Sequence, residues 1–246
     1  MTAAAQRGTA LVTGAGRGIG RAIADALADS GFVVADAGLA PGEDGRHRFF
    51  PLDVAAIDRH DALVDAVEAE LGPITCLVNN AGITSHVRGD VLDLLPDSFD
   101  HVMAVNLRGT FFLTQAVARR MAARTARAFR SIVTISSVNA EIVGENRADY
   151  CMSKAALAMM SKVFAARLAP LGIAVFEIRP GMTRTAMTAP AAERYDGLIA
   201  AGGVPAGRWG EPADVGAAVA TLARGDIPYA TGIAVDVAGG LQLHRV

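Results

Sequence analysis

The chain has 246 residues, with 23 Lys and Arg against 25 Asp and Glu, so it lacks the excess positive charge of a protein that neutralises phosphate backbones; nucleic acid is excluded as an expected partner. Apolar residues make up 52% and charged residues 20%, which excludes a disordered chain, and no run approaches the roughly 18 apolar residues of a membrane span. Only Cys76 and Cys151 are present, against a disulfide framework, and the apolar run Ala10 to Val12 is too brief for a secretory signal, so the expected location is the cytoplasm.

In chain order, short β-rich runs alternate with longer helical patterns, which predicts an α/β Rossmann fold: one domain over 1–246 with a doubly wound, seven-stranded parallel sheet and helices on both faces. The predicted strands lie near Thr9 to Thr13, Phe32 to Ala35, His47 to Pro51, Cys76 to Asn79, Ser131 to Ser136, Ala174 to Arg179 and Ile233 to Val237. The predicted helices lie near Gly18 to Ser30, Ile57 to Leu71, Pro96 to Thr125, Tyr150 to Ala169 and Pro212 to Ala223. Ala37 to Arg46 is too short and too rich in Gly and acid for a crossover helix and reads as a loop. Thr183 to Gly207, with several glycines around a short helical pattern, reads as a movable flap.

Thr13-Gly14-Ala15-Gly16-Arg17-Gly18-Ile19-Gly20 follows the first strand and opens a helix, the context in which glycines bring backbone amides against a pyrophosphate. The acid expected after the second strand is Asp36, which would read the ribose of NAD; Arg17 would instead meet the 2′-phosphate of NADP. NAD is the expectation, with NADP open, and the chain calls for no metal. Tyr150 and Lys154 stand one helical turn apart on the same face, where an ammonium would stabilise phenolate and make the phenol a usable proton carrier. Ser137, at a strand end, would hold the substrate oxygen against that phenol.

Taken together, these motifs resemble the short-chain dehydrogenases/reductases over about Thr9 to Leu241: the glycine loop, Asp53-Val54, Asn79-Asn80-Ala81-Gly82, Asn106, Ser137, Tyr150 to Lys154, and Arg179-Pro180-Gly181 followed by Thr185. The resemblance implies that Tyr150 is the acid/base, that Ser137 orients the substrate, and that Asn106 and Lys154 hold a water-linked proton relay, Lys154 also binding the nicotinamide ribose. It implies that Gly14, Arg17, Gly18, Ile19 and Gly20 hold the pyrophosphate, Asp53 and Val54 the adenine, and Asn80, Ala81 and Gly82 the backbone beside the cofactor. Pro180 and Gly181 lead into Thr183 and Thr185, which would contact the carboxamide and the phosphate. Gly38 stands where the family's ribose-binding acid falls, and Ala238-Gly239-Gly240 replaces the common Asp-Gly-Gly.

Length and Val204 to Arg208 are similar to the family's 3-oxoacyl-carrier-protein reductases, but of the basic docking positions one is Leu171 and only Arg127 and Arg130 remain near the other. A small secondary alcohol or ketone such as a sugar or polyol is therefore the leading expectation, read by Asn139, Glu141, Glu145 and Asn146, with a 3-oxoacyl thioester as the alternative. Apolar residues on several helix faces, Phe111, Phe112, Met159, Met160 and Phe164, suggest a homo-oligomer, by resemblance a tetramer. A non-catalytic dinucleotide-binding regulator is disfavoured by the presence of Asn106, Ser137, Tyr150 and Lys154 together, and an epimerase or dehydratase by the missing substrate domain.

Overall fold

The computed structural model describes residues 7–42, 44–125 and 128–243. Its frame is one parallel sheet of seven strands: β1 (Thr9–Thr13), β2 (Val33–Gly38), β3 (Arg48–Pro51), β4 (Ile74–Asn79), β5 (Arg130–Ile135), β6 (Ile173–Pro180) and β7 (Ala234–Val237), in the order β3-β2-β1-β4-β5-β6-β7. The chain winds outward from β1 to β3, then returns past β1 to β4 and winds the other way. That reversal opens a crevice at the carboxyl ends of β1 and β4, the place where doubly wound sheets bind ligands.

Central strands are buried on both faces, which is why they read as unbroken apolar runs. Alternation still sorts their side chains. Ala10 and Val12 face Ile23 and Leu27 of α1 (Gly18–Asp29) and Val215 and Val219 of α7 (Pro212–Ala223). Leu11 faces the opposite layer, with Val64 of α2 (His60–Leu71), Val117 of α4 (Thr110–Ala122) and Leu168 of α5 (Ala148–Leu168). Each such fully buried aliphatic side chain contributes about 1.5–3 kcal/mol. Gly216 brings α7 against α1: a Cβ there would lie 2.6 Å from the Ala22 carbonyl oxygen.

Several predicted boundaries moved. The single helix expected from Pro96 to Thr125 is three pieces, α3 (Pro96–Met103), a π-helical turn (Ala104–Gly109) and α4. At the end of the π-helical turn the helix packs closely on the crossover before it, since a side chain on Gly109 would collide with the Val54 carbonyl. The strand predicted to stop at Ala35 runs on to Gly38, because Ala35 to Gly38 pair with β3. The following segment has no helix, as expected, and the 183–207 segment holds α6 (Ala192–Ala200). That segment is anchored by a Thr183–Gly210 bridge and by Trp209, which meets Tyr195 edge to face and donates to Asp196 at 2.6 Å. Of the apolar residues on α5, Met160 is buried in the protein's own interior, whereas Met152, Met159 and Val163 form an exposed stripe.

Candidate active site

The glycine loop is shaped by backbone. Gly14 and Gly18 take positive φ, 68° and 55°, and a Cβ on Gly20 would overlap the Gly14 carbonyl oxygen. Arg17, at the N-cap of α1, offers no side-chain cap, and the first turn holds no acid. The leading N–H groups of α1 thus have no side-chain acceptor, an arrangement suited to an anion. Arg17 and Gly18 are exposed there, Ile19 is half-buried, and the Thr185 methyl lies 3.6 Å from where a Gly18 Cβ would be. Below, Thr13 Oγ1 accepts from the Asn80 and Ala81 amides at 3.0 and 2.9 Å, while Asn80 Nδ2 donates to the Thr13 and Gly14 carbonyls at 2.9 and 3.2 Å. Thr13, which sequence reasoning passed over, is the peg joining β1 to β4; its only signal was a hydroxyl at the strand end.

Asp36 needs correction. It is not a strand-end carboxylate open to a ribose: β2 extends two residues beyond it, it is buried, and its Oδ1 accepts from the Ala15 amide at 3.0 Å. Burial pushes its carboxyl above the usual range, opposed by amide hydrogen bonds from Ala15 and Gly42. Asp36 therefore braces the glycine loop from beneath, and the strand end itself is Gly38. Asp53 is exposed and accepts from the Ala55 amide at 2.9 Å, while Val54 is buried beside Gly109 with its carbonyl accepting from His60.

The π-helical turn directs Asn106 inward. Its Oδ1 accepts from the Ile83 amide at 2.8 Å, and its Nδ2 donates to the Ile83 carbonyl at 2.9 Å and to Ser153 Oγ at 3.0 Å. Gly82 leaves the space between: a Cβ there would be 3.2 Å from Asn106 Oδ1 and 3.6 Å from Lys154 Nζ. Asn106, Gly82 and Lys154 thus converge.

Tyr150 and Lys154 share the face that faces β5. Lys154 Nζ lies 5.5 Å from the Tyr150 ring centroid and donates to the Ile135 carbonyl at 3.0 Å. Burial pushes Lys154 down to about 8, Glu177 opposing. Tyr150 departs from expectation in direction: burial holds its phenol above the ordinary value, with a hydrogen bond to Ser137 and the charge of Arg147 acting the other way. Ser137 is buried at the end of β5, where its Oγ also accepts from the Asn139 amide at 3.1 Å. Tyr150, Ser137 and Lys154 are thus assembled, but in this environment the neighbouring charges do not outweigh desolvation of the phenolate.

Across the crevice, Pro180 ends β6, and Gly181 packs on Ala238, to whose Cα a Cβ would come within 2.8 Å. Thr183 Oγ1 is buried without a partner, and the Thr183 carbonyl accepts from Thr188 Oγ1 at 2.7 Å. Two of the expected hydroxyl readers are otherwise engaged. Asn139 Nδ2 donates to the Ile142 carbonyl at 2.8 Å, and Glu141 pairs with Arg179, itself bound to Glu177. Glu145 is exposed and Asn146 lines a cavity of about 330 Å³. Arg130 is no docking residue: it is buried, its guanidinium donating to the Met121, Arg124 and Leu171 carbonyls, and Arg127 lies outside the described residues. Sequence reasoning also missed Asp149, wholly buried beside Tyr150, which accepts from Ser85, from Ser98 at 3.1 Å and from the Tyr150 amide at 2.8 Å.

A family model described as enoyl-(acyl carrier protein) reductase matches residues 14–242. Mouse (3R)-3-hydroxyacyl-CoA dehydrogenase is 36% identical over 251 residues, covering 94% of this chain and 95% of the relative. The crystal structure of a 3-oxoacyl-[acyl-carrier protein] reductase from Brucella melitensis in complex with NAD is 50% identical, with a TM-score of 0.94 and coverage of 98% and 99%. Aldohexose dehydrogenase of Thermoplasma acidophilum is 32% identical, with a TM-score of 0.90 and coverage of 98% and 96%.

Proposed function

The chain belongs to the short-chain dehydrogenase/reductase family and is an oxidoreductase, and from that premise we propose that it interconverts a secondary alcohol and its ketone with a nicotinamide dinucleotide, NAD in preference to NADP because the Brucella melitensis reductase that it resembles at 50% identity is in complex with NAD. The observation that carries the reading is the convergence of Tyr150, Lys154 and Ser137 at the mouth of the β1–β4 crevice. Three features fit the dinucleotide: the glycine turn that closes tightly because Gly20 has no Cβ to meet the Gly14 carbonyl, the uncapped N-terminus of α1, and the buried, partnerless hydroxyl of Thr183. Gly14, Arg17, Gly18, Ile19 and Gly20 would hold the pyrophosphate, Asp53 and Val54 the adenine side, Asn80 to Gly82 and Lys154 the nicotinamide riboside, and Pro180, Gly181, Thr183 and Thr185 its far edge. When bound, the dinucleotide accepts or supplies the hydride.

Tyr150 takes the hydroxyl proton in oxidation and returns it in reduction. Ser137 holds the substrate oxygen against the phenol. Lys154 keeps a positive charge beside the ring, and Asn106, through Ile83, holds open the space next to Lys154 where a water links the relay. The net upward push on Tyr150 keeps its phenol protonated, the form that ketone reduction starts from, while oxidation, which needs phenolate, gains as the surrounding positive charge rises.

A small polar alcohol suits the site, because burial of Arg130 removes a docking residue for a carrier protein. A second reading, a 3-oxoacyl thioester, is favoured by the exposed apolar residues Val87, Val91 and Leu95, which line a cavity together with Arg147 and Asp149 at the start of α5. A tetramer is also part of the proposal, with the α5 stripe of Met152, Met159 and Val163 as a covered face. A panel of polyols, sugars and 3-oxoacyl thioesters, followed by nicotinamide absorbance, tests the reaction. Tyr150→Phe should lower kcat by about 10²–10⁴-fold with cofactor affinity within about threefold; unchanged turnover would remove Tyr150 from its role.

A further inference from the structure

Arg147 stands at the N-cap of α5, its guanidinium carbon 5.9 Å from the Tyr150 ring centroid. Lys154, one turn beyond Tyr150, already donates to Ile135. Arg147 has no such use. Among the described residues its guanidinium makes no ion pair and no hydrogen bond, and its Nε is buried without a partner. Arg21, Arg46, Arg179, Arg208 and Arg224, by contrast, each close on a carboxylate. Only the Nε is shut away from water without a partner; the two Nη groups are less enclosed and keep their donors available to an acceptor that arrives from outside the chain.

The same side chain borders the cavity of about 330 Å³, together with Asn146, Ser98, Val87 and Leu94. Three acids also border it, yet none pairs with Arg147. Asp149 is saturated by Ser85, Ser98 and the Tyr150 amide, Asp90 accepts from the Leu92 amide, and Asp93 sits in the first turn of the same segment. Gly144 makes the placement of Arg147 possible, since a Cβ there would meet the arginine side chain.

We infer that Arg147 is an anion subsite for the substrate, binding a carboxylate or a phosphate carried a few atoms from the hydroxyl that Tyr150 serves. The inference rests on the dehydrogenase reading above and narrows its substrate from a small polar alcohol to a hydroxy acid or a phosphorylated alcohol. The planar guanidinium can grip either group through two parallel hydrogen bonds, which fixes the reacting carbon relative to the phenol.

The test uses matched pairs with wild type: 3-hydroxybutanoate against its methyl ester, gluconate against glucose, and glycerol 3-phosphate against glycerol. Wild type is expected to favour the anionic member of at least one pair by about tenfold or more in kcat/KM. The pair that responds separates carboxylate from phosphate. Arg147→Gln should bring the ratio close to one, and Arg147→Lys should restore part of it. Calorimetric titration of the matching keto acid into cofactor-loaded protein gives the same comparison without turnover. A wild-type ratio near one, or a ratio that Arg147→Gln leaves unchanged, overturns the inference while the dehydrogenase reading stands. Should folded wild type turn over no member of any pair and no member of the wider panel, the reading and the inference fail together.

Discussion

The two sides of the crevice are built differently. On the dinucleotide side, Thr13, Asn80, Asp36 and the loop glycines are tied together by buried and part-buried hydrogen bonds of 2.9–3.0 Å. On the substrate side, the 87–95 segment exposes Val87, Val91, Leu92 and Leu95, and Arg147 keeps its donors unused. A backbone-shaped cradle accepts one kind of ligand whatever the neighbouring side chains are, whereas a rim of exposed side chains sets what else can enter. Reaction class belongs to the first region and substrate choice to the second.

Substitutions on the rigid side should break this contrast most sharply. Gly20→Ala would drive a methyl group into the Gly14 carbonyl, so we expect dinucleotide binding to be lost and stability to fall by about 3 kcal/mol, roughly 6–12 °C in Tm. Nicotinamide fluorescence and thermal melting check both, and normal binding would show that the loop yields more easily than its geometry implies.

Lys154→Met should come next, with kcat/KM reduced by about 10²-fold. Because the native ammonium titrates near 8, the wild-type rate should decline above about pH 8 as that charge is lost, and the variant should lack this limb. Stability carries the opposite sign. Between about 8 and the ordinary 10.5 the unfolded chain binds the proton that the native state has released, so wild type should gain stability relative to Lys154→Met as pH rises through that window. Denaturant titrations of the pair at pH 7 and 10 measure it.

Asp36→Ala should have the mildest effect and the sharpest meaning. If the carboxylate braces Ala15, its loss raises the Michaelis constants for NAD and NADP alike, by about fivefold. A rise confined to NAD would return Asp36 to the ribose.

Much of the frame was legible beforehand, because period-two burial and glycine-rich turns are local signals. The strands were placed within a few residues, and Tyr150, Lys154, Ser137 and Asn106 were singled out from spacing and resemblance. Asp36 misled because the strand seemed to end early; only pairing with β3 carries β2 to Gly38 and turns the carboxylate under the loop. Asn139 and Glu141 looked like substrate readers because nothing local announces that Ile142 and Arg179 engage them. The π-helical turn at Asn106 was equally hidden, since the apolar pattern continues through it without a local signal.

By itself the sequence determined the parallel α/β frame, the glycine loop and the one-turn spacing of Tyr150 and Lys154, all consequences of short-range backbone geometry. Tertiary structure alone decided which polar groups are already partnered and which are left waiting, and whether desolvation or neighbouring charge governs the tyrosine. Those outcomes depend on distances between segments far apart in the chain, and electrostatic and hydrogen-bond energies change steeply over such distances.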